Sequence, residues 1–387
     1  MPENGFLVIA DISGYSSYVR DSELEHARDT LAALLNLLIE HTRSPFAIAK
    51  LEGDAVFSYA PAGAFLQGQS LLEVMEGTYV AFRIALDLMV RNTTCPCNAC
   101  RNLPKLDLKF FVHFGEYLVQ EMGGFRELLS SDVNLVHRLL KNKIGEQTGL
   151  HAYAACTQAM VDELEMHDLA KDLLVHVESF ADVGELKLYV QDLHGVWERN
   201  RDRTRIEVKP EESIFSVSYD FPVPPAQLWE YITMPATRAL FMGAERQTVE
   251  KETVRNGENT VYVCVHDMGT SLQTVLDWRP FEQYTTNETL PFPNTAMYST
   301  YRLDPIEGGT RFTMYSGKPR GPLAYRKIAE IGLMQFLKSG KIIESLDALK
   351  QHIQKDLKEG RLAFMPSTQV EKSVLESAVA KWPGPSS

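Results

Sequence analysis

The chain has 387 residues, of which 44% are hydrophobic and 23% are charged, a composition typical of an ordinary globular protein. A chain of this length is too long for one typical core, so we expect two domains. The net charge of −12 argues against nucleic-acid binding, because lysine and arginine are too few to neutralise a phosphate backbone. With no signal peptide, no apolar stretch of about 18 residues and an odd number of cysteines, the chain is predicted to be cytoplasmic and to lack a membrane span.

The first half of the chain alternates predicted strands and helices. Its order, β-α-β-β-α-β, predicts a ferredoxin-like α+β domain over residues 1–192. Glu52 and Gly53 mark the turn of one predicted hairpin, and Gly115 marks the bend of another. Strands are predicted at 6–10, 47–59, 106–114, 117–120, 174–177 and 186–190, and helices at 22–40, 71–90 and 131–141, the last capped by Ser130, Ser131 or Asp132.

The second half has a different pattern. Residues 193–211 are charged and lose apolar periodicity, which predicts a linker. A second domain is predicted at 212–357, and the Pro- and Ser-containing segment 358–387 is predicted to be a loosely held tail. An apolar stripe predicts one long helix from Pro322 to Lys355. Strands are predicted at about 214–219, 246–254, 259–267, 271–278, 283–289, 296–303 and 310–316.

Three cysteines, Cys95, Cys97 and Cys100, lie within six residues of one another. They are a candidate structural zinc site, because Cys-x-x-Cys is a common zinc half-site. No fourth ligand is evident nearby, so His113 or a more distant group would have to complete the site. The alternative is a surface loop with ordinary thiols.

Two carboxylates are predicted to lie at strand ends, since Asp11 ends the first strand and Asp54 follows a hairpin turn. Carboxylate and phosphate oxygens suit Mg²⁺ or Mn²⁺, so these residues are candidate ligands for two divalent ions beside a nucleotide. Ser13, Gly14 and Tyr15 follow at the change from strand to helix, where free backbone N–H groups can hold phosphates. The alternative for either aspartate alone is an ordinary helix cap or turn residue.

These segments resemble the class III nucleotidyl cyclase catalytic domain. The segment from Lys50 to Asp54 matches the family's Lys-x-x-Gly-Asp motif, and Asn134 with Arg138 matches its Val-Asn-x-x-x-Arg helix. The resemblance implies that Asp11 and Asp54 bind two metal ions and that Lys50 binds the adenine ring. It also implies that Asn134 positions the ribose and that Arg138 stabilises the transition state. The alternative for that helix is that both polar residues simply face solvent.

The resemblance covers about residues 5–190 and departs from the family at two positions. Glu127 stands where the second adenine-contacting residue is usually Asp or Thr. Val183 stands where a lysine holds the triphosphate, with Lys187 nearby, and loss of such a contact costs about 1–3 kcal/mol of transition-state binding. Because the family builds each active site from two chains, the resemblance implies a homodimer.

The second half resembles the START and polyketide-cyclase-like (SRPBCC) superfamily over about residues 212–356. The resemblance rests on the segment from Tyr219 to Ile232 and on the amphipathic helix near the end. It implies a helix-grip fold, with a curved antiparallel sheet around a long C-terminal helix and an apolar cavity for a lipid, sterol or aromatic molecule. The alternative is that the candidate wall residues simply fill the core. These candidates are Trp229, Met242, His266, Met268, Trp278, Tyr298 and Phe336.

Together these patterns predict an adenine-nucleotide-binding protein whose second domain binds a hydrophobic small molecule and regulates the first. As an enzyme it would be an adenylate cyclase, which converts ATP into cyclic AMP and pyrophosphate by two-metal catalysis at a homodimer interface. One alternative is a catalytically inactive ATP sensor, which Val183 and Glu127 favour. Another is a carrier or ring-closing enzyme that acts on small hydrophobic molecules through the helix-grip domain.

Overall fold

The computed structural model describes residues 1–364, apart from 44, 93, 94, 96, 123, 124, 182, 252, 267 and 268. The chain divides into two compact units. Unit 1 consists mainly of residues 1–203, and unit 2 consists of residues 204–362. None of the helices in the described residues combines the length and the apolar character that crossing a membrane requires.

Unit 1 is an α+β unit built on one mixed sheet. Its strands are β1 (Glu3–Ser13), β2 (Ala47–Glu52), β3 (Ala55–Pro61), β4 (Asp107–Met122), β5 (Phe125–Leu129), β6 (Tyr153–Thr157), β7 (Leu174–Phe180) and β8 (Gly184–Asp192). Its helices are α1 (Tyr15–Arg20), α2 (Leu24–Thr42), α3 (Gly68–Asn92), α4 (Asn98–Asn102), α5 (Ser131–Leu139), α6 (Ile144–Thr148), α7 (Gln158–Glu163), α8 (His167–Ala170) and α9 (Leu193–Asn200). The strand order among the described residues is β2-β3-β1-β4-β6-β8-β7, and β5 pairs with β4 beside this path. The predicted α+β class is confirmed.

The central strand β1 determines which face of the sheet carries the candidate site. It pairs antiparallel with β3 on one side and with β4 on the other, so residues 5–10 are buried. Leu7 and Ile9 pack in one core cluster with Val133 and Val136 of α5. Because side chains alternate along a strand, Asp11 points to the same face as α5.

The prediction of a hairpin bend at Gly115 is wrong, because β4 continues through this glycine without a turn. Gly115 is instead a position of close approach: a Cβ added there would lie 2.5 Å from Oδ2 of Asp132. The same carboxylate oxygen accepts a 2.7 Å hydrogen bond from the backbone N–H of Glu116. Glycine is therefore needed to let α5 approach the strand, and not to turn the chain.

The segment predicted as a charged linker begins with a helix. In α9 the side chains of Leu193 and Val196 are buried, and the helix packs against α3. Asp192 caps it by accepting hydrogen bonds from the backbone N–H groups of His194 and Gly195. The charges that suggested a linker therefore include those on the exposed face of a short amphipathic helix.

Unit 2 is an antiparallel sheet covered by helices. Its strands are β9 (Phe215–Phe221), β10 (Arg246–Glu250), β11 (Val261–His266), β12 (Gly269–Arg279), β13 (Gln283–Thr289), β14 (Ala296–Ile306) and β15 (Gly309–Ser316), and its helices are α10 (Pro225–Thr233), α11 (Pro235–Met242), α12 (Leu323–Lys338) and α13 (Lys341–Glu359). In the described residues the strand order is β10-β11-β12-β13-β14-β15-β9, and α13 packs against α11. This arrangement of sheet and C-terminal helix confirms the predicted helix-grip class.

The prediction of a single long helix from Pro322 to Lys355 is wrong. The chain forms two helices, α12 and α13, with the break at Ser339 and Gly340. Gly340 has a φ of 78°, in the left-handed region that side-chain-bearing residues rarely adopt. The apolar stripe continues across the break, which is why periodicity alone predicts one helix.

Candidate functional site

The structure places the two predicted metal ligands, Asp11 and Asp54, beside each other. Asp11 is the register partner of Ala55 on β3, directly after Asp54 in the β2–β3 turn. The backbone N–H of Ile12 donates a 3.1 Å hydrogen bond to the carbonyl oxygen of Asp54. Gly53 takes a φ of 68° in that turn, as the glycine in the motif requires. Strand pairing therefore brings together two carboxylates that are 43 residues apart in the sequence.

The two carboxylates disfavour each other's charge. Burial raises the pKa of Asp11 to about 6, with the negative charge of Asp54 as the second cause and Lys109 opposing them. Burial also raises the pKa of Asp54. Lys109 is the register partner of Asp11 on β4. A cation between the carboxylates would relieve their repulsion, so the residues present fit a divalent ion.

The predicted phosphate-binding turn at Ser13, Gly14 and Tyr15 lies between β1 and α1. Gly14 precedes α1 with a φ of 85°. A Cβ on this glycine would lie 2.7 Å from the carbonyl oxygen of Lys105. Gly14 is therefore required by the backbone of the turn itself, whether or not a phosphate binds there.

The predicted adenine-binding residues Lys50 and Glu127 are in contact. The ammonium group of Lys50 lies 3.3 Å from Oε2 of Glu127 on β5 and 2.8 Å from Oε1 of Glu52. Burial lowers the pKa of Lys50, but hydrogen bonds and the charges of the two glutamates outweigh it, so the pKa is raised. The lysine is therefore held as a cation between two carboxylates at the end of β2.

Sequence reasoning missed two members of this network, Glu52 and His137. Nε2 of His137 lies 3.0 Å from Oε1 of Glu52, and Nδ1 lies 2.7 Å from the carbonyl oxygen of Val133. Burial raises the pKa of Glu52, but hydrogen bonds from His137 and Lys50 reverse this effect and lower it to about 2. The only sequence signal was the position of His137, which lies between Asn134 and Arg138 in the predicted motif.

The helix that carries Asn134 and Arg138 is present as predicted. Ser130 caps α5, because its Oγ accepts a 2.9 Å hydrogen bond from the backbone N–H of Val133. Asn134 is exposed in the first turn, and Arg138 is partly buried one turn later. Residues four apart share a helix face, so both side chains can address one ligand.

The position at which the cyclase family has a phosphate-binding lysine is apolar. Val183 precedes β8 and is 44% exposed. Lys187 does not replace the missing charge locally, because its ammonium group lies 4.7 Å from the centre of the Tyr189 ring on the same strand. The difference from the family at Val183 stays a prediction.

The three predicted zinc ligands come together with a fourth group that sequence reasoning missed. Sγ of Cys97 lies 3.2 Å and Sγ of Cys95 lies 3.7 Å from Nδ1 of His26 on α2. The backbone N–H of Cys100 donates to Sγ of Cys97, which lowers the pKa of that thiol to about 7. His113, the fourth ligand considered from the sequence, lies elsewhere, since its Nδ1 is 2.9 Å from Oγ1 of Thr157. No sequence spacing links His26 to the cysteines, which begin 69 residues later.

Two of the predicted pocket residues in unit 2 pack on each other. The rings of Trp229 and Trp278 meet edge to face at 4.7 Å between centroids, and both contact Tyr284. Trp229 is 1% exposed and Trp278 is 6% exposed. These two side chains thus occupy the core between α10 and the sheet.

The other predicted pocket residues are distributed over several places. The guanidinium of Arg320 lies 3.5 Å from the centre of the Tyr298 ring, and Nδ1 of His266 lies 3.3 Å from the carbonyl oxygen of Gly243. The hydroxyl of Tyr301 lies 4.0 Å from Sδ of Met242. Met268 and the side chain of Phe336 lie outside the described residues.

The interior of unit 2 also holds a buried cation, Arg238 of α11. Its side chain is 0% exposed, and its guanidinium carbon lies 4.2 Å from the centre of the Tyr262 ring. The rings of Tyr284 and Tyr301, at 5.9 Å each, complete an aromatic enclosure. The guanidinium donates to Oε1 of Gln273, whereas its Nε–H has no hydrogen-bond partner among the described residues. A buried donor without a hydrogen-bond partner costs free energy, which an acceptor placed beside it would offset.

A groove of about 450 Å³ lies at another position in unit 2. Its lining is polar and charged: Ser218, Tyr219, Asp220, Arg311 and Lys350. Arg311 and Asp220 form a bidentate ion pair across it, with N···O distances of 2.8 and 2.9 Å. None of the predicted pocket residues lines this groove.

Two protein-family models match parts of the chain. Residues 213–354 match the family described as "Polyketide cyclase / dehydrase and lipid transport", which confirms the resemblance predicted for the second half. Residues 31–148 match a family described as "Protein of unknown function (DUF2652)".

Comparisons with individual proteins give one curated relative and several solved structures. The "Uncharacterized protein Rv2561/Rv2562" of Mycobacterium tuberculosis is 32% identical over 165 residues, which are 42% of this chain and 73% of that protein. The adenylyl cyclase CyaB from P. aeruginosa is 14% identical with a TM-score of 0.37, over 50% of this chain and 95% of that chain. The guanylyl cyclase domain of the RhoGC fusion protein from Blastocladiella emersonii is 14% identical with a TM-score of 0.30, over 49% of this chain and 97% of that chain.

Proposed function

The chain belongs to the same family as the uncharacterized protein Rv2561/Rv2562 of Mycobacterium tuberculosis, and we propose that its unit 1 is an adenine-nucleotide site of the nucleotidyl cyclase type. The observation that carries the proposal is the combination of two adjacent carboxylates, Asp11 and Asp54, with the contact between Lys50, near the turn of the same hairpin, and Glu127 of β5. Either feature alone has an ordinary structural explanation. Together they supply groups for the two chemically distinct ends of a nucleotide.

The carboxylates of Asp11 and Asp54 would hold two Mg²⁺ or Mn²⁺ ions. When bound, such ions would activate the ribose 3′-hydroxyl and neutralise the negative charge on the leaving pyrophosphate. The protein's own part is to keep two negative groups close together, and burial followed by the charge of Asp54 raises the pKa of Asp11. The turn from Ser13 to Tyr15 follows directly and offers backbone donors to the phosphates.

Lys50 and Glu127 match the hydrogen-bonding edge of adenine. Adenine presents an acceptor at N1 beside a donor at its 6-amino group, so the lysine would donate to N1 and the glutamate would accept from the amino group. In the structure these two side chains contact each other at 3.3 Å. A base would enter by replacing that contact, while Glu52 keeps its own hold on the lysine at 2.8 Å.

Asn134 and Arg138 would act on the sugar and the α-phosphate. In the cyclase reaction the ribose 3′-oxygen bonds to the α-phosphorus, the bond to pyrophosphate breaks, and the 3′-hydroxyl proton is released. Arg138 is suited to charge that develops on the α-phosphate, because guanidinium groups bind phosphate oxygens with two parallel hydrogen bonds. Val183 supplies no charge to the triphosphate, so we expect binding to be better preserved than turnover.

A homodimer would complete the site, with the metal ligands of one chain facing Asn134 and Arg138 of the other. An apolar pair on the β4–β5 ribbon supports this part of the proposal. Leu118 and Leu129 are register partners, and they are 37% and 44% exposed. Exposed leucines directly opposite each other suit burial against a second copy. A chain that stays monomeric in light scattering at micromolar concentration, with or without ATP and Mn²⁺, would contradict it.

The experiment that tests the site is calorimetric titration of the full chain with ATP in the presence of Mn²⁺, followed by chromatographic measurement of cyclic AMP. We expect saturable, metal-dependent binding. Lys50→Met should weaken binding about 10–100-fold, because it removes a charged hydrogen bond. Lys171→Met is the matched control. Lys171 is exposed, pairs with Asp168 and is remote from Lys50 in the sequence.

The outcomes separate three functions. Binding with cyclic AMP formation identifies an adenylate cyclase, and binding without product identifies an ATP sensor. Equal affinities for the two lysine variants, or no metal-dependent ATP binding at all, would contradict the nucleotide proposal. In that case the helix-grip unit would be left as the functional part of the chain.

For unit 2 we propose a hydrophobic small-molecule ligand that carries a hydrogen-bond acceptor. The specific observation is Arg238, whose Nε–H lacks a partner among the described residues inside an enclosure of tyrosine rings. The family described as "Polyketide cyclase / dehydrase and lipid transport" is consistent with an apolar ligand. Organic extraction of the purified chain followed by mass spectrometry should find a retained molecule with a carboxylate, carbonyl or phenol group. Recovery of only saturated hydrocarbon chains, or of nothing, would contradict this proposal.

A further inference from the structure

Four potential metal ligands in unit 1 converge from two segments that are far apart in sequence. They are the thiols of Cys95, Cys97 and Cys100, and the imidazole of His26. The ligand atoms all lie within 4.8 Å of one another. Cys95 and Cys97 precede α4, Cys100 lies within it, and His26 lies in the first turn of α2. None of these side chains is used by the proposed nucleotide site.

The distances are close to those of a tetrahedral zinc centre. With Zn–S bonds of about 2.3 Å and Zn–N bonds of about 2.0–2.1 Å, tetrahedral angles place neighbouring ligand atoms roughly 3.5–3.8 Å apart. Nδ1 of His26 lies 3.2 Å from Sγ of Cys97 and 3.7 Å from Sγ of Cys95. Small adjustments of side-chain torsions would thus be enough to admit an ion.

We propose that these residues form a structural zinc site of the Cys3His type, with His26 as the fourth ligand. Three thiolates and an imidazole are a soft donor set that selects zinc over magnesium or calcium. Four protein ligands leave no open position for a substrate, so the site is structural and not catalytic. A hydrogen bond from the backbone N–H of Cys100 to Sγ of Cys97, at 3.4 Å, already orients one sulfur.

The site would join the start of α2 to the segment around α4, close to the turn at Gly14. The backbone N–H of Ala99 donates a 3.0 Å hydrogen bond to Oε2 of Glu23, three residues before His26. After α4, the chain reaches Lys105, whose carbonyl oxygen lies against Gly14. Zinc would therefore hold in place the segment from α4 to Lys105, which contacts the turn after Asp11. The ion itself would not contact a nucleotide.

The first test is the metal content of the full chain, purified without chelator under reducing conditions. We expect about one zinc per chain by plasma mass spectrometry. His26→Ala should lower zinc affinity, measured against a competing chelator, by at least roughly 10–100-fold. The matched control is His151→Ala, an exposed histidine remote from the cysteines in sequence, which should leave the affinity unchanged.

A second measurement does not depend on the folding of any variant. Replacing zinc by Co²⁺ in the wild-type chain should give the intense visible bands of tetrahedral cobalt together with a thiolate charge-transfer band. Weak bands of octahedral cobalt would contradict the ligand set. So would a wild-type chain that binds no zinc, a His26→Ala variant with the affinity of His151→Ala, or a disulfide between any two of the three cysteines in the reduced preparation.

The supporting role of the site has its own readout. Removing zinc with a chelator should raise hydrogen exchange in residues 15–21 and 98–105. Exchange in β6, which β4 separates from β1 in the sheet, should stay unchanged. Unchanged exchange in the first two segments would show that the ion does not hold them. Because metal content and exchange are measured without nucleotide, these results are independent of whether ATP binds.

Discussion

Glu52 and His137 are 85 residues apart in the chain, and a 3.0 Å hydrogen bond joins them beside the candidate adenine-binding residues. The same glutamate contacts the ammonium group of Lys50 at 2.8 Å, so one carboxylate links β2 to α5. His137 is fixed in turn by its contact with the carbonyl oxygen of Val133 and by the ring of Phe57 at 4.7 Å. Glu52 is thus a positioning residue that orients the lysine through contacts made on both sides.

The Glu52–His137 pair should make stability depend on pH. The pKa of His137 is raised, mainly by its hydrogen bond to Glu52, so its contribution is fully present below about pH 6.5 and is lost as pH rises through the raised value. The pKa of Glu52 is lowered to about 2, so its contribution is present above about pH 4.5 and is lost as pH falls toward 2. Both contributions are therefore complete between about pH 4.5 and 6.5.

His137→Leu should lower the free energy of unfolding by about 1–2 kcal/mol at pH 5.5, and by less at pH 8.5. Urea denaturation at the two pH values measures the difference. The control is His151→Leu, at an exposed histidine, which should change stability little at either pH. A deficit for His137→Leu that is equal at both pH values would show that only the packing of the ring matters.

The sequence predicted those parts of the site that depend on local geometry. The hairpin around Gly53 and the cap at Ser130 follow from short motifs, and so the positions of Asp54 and Asn134 on their elements were predictable. His26 and His137 were not, because their partners come from elements that are adjacent only after the sheet has formed. Gly115 was misread for a related reason: glycine marks both turns and close approaches, and only the position of Asp132 distinguishes them.

Asp54→Asn should stabilise the metal-free protein while removing its response to metal. After burial, the charge of Asp54 is the second cause of the raised pKa of Asp11, so neutralising Asp54 should raise the free energy of unfolding by about 0.5–1 kcal/mol at pH 7.5. Mn²⁺ with ATP should raise the Tm of the wild type but not that of the variant. Thermal unfolding with and without Mn²⁺ and ATP measures both effects.

Asp172→Asn is the control for this experiment, because Asp172 is an exposed aspartate that follows α8 and is remote in sequence from Asp11 and Asp54. It should keep the wild-type response to Mn²⁺ and ATP. If Asp54→Asn responds to the ligands as strongly as Asp172→Asn does, Asp54 does not bind the metal. If it lowers the stability of the metal-free protein, the carboxylate is instead a structural part of the turn.

Gly115→Ala tests whether close approach is what glycine provides on β4. The added Cβ would lie 2.5 Å from Oδ2 of Asp132, so we expect a loss of about 1–3 kcal/mol in the free energy of unfolding. Gly77→Ala, in the middle of α3, is the matched control, because no atom lies within 4 Å of its added Cβ. That substitution should stabilise the protein by about 0.5–1 kcal/mol. Equal effects of the two substitutions in urea denaturation would contradict the explanation.

Arg238 allows ligand binding to be separated from stability in unit 2. The buried charge contacts tyrosine rings and Gln273, and burial raises the pKa of the nearby Glu288, which disfavours an ionised partner for the arginine. Replacing a buried charge by an apolar side chain of similar length is often neutral for stability. Arg238→Met should therefore change the free energy of unfolding by less than about 1 kcal/mol. It should nevertheless abolish retention of an acceptor-bearing ligand, as measured by mass spectrometry of the organic extract.

Arg238→Ala provides the comparison, because it removes both the charge and the volume. It should lower the free energy of unfolding by about 3–5 kcal/mol, as expected when a large buried side chain leaves a cavity. A loss of that size already in Arg238→Met would mean that the guanidinium is needed for the fold itself. Its contacts with Tyr262, Tyr284 and Tyr301 would then account for its burial without any ligand. Retained ligand in a stable Arg238→Met variant would instead place the ligand's polar group elsewhere in the unit.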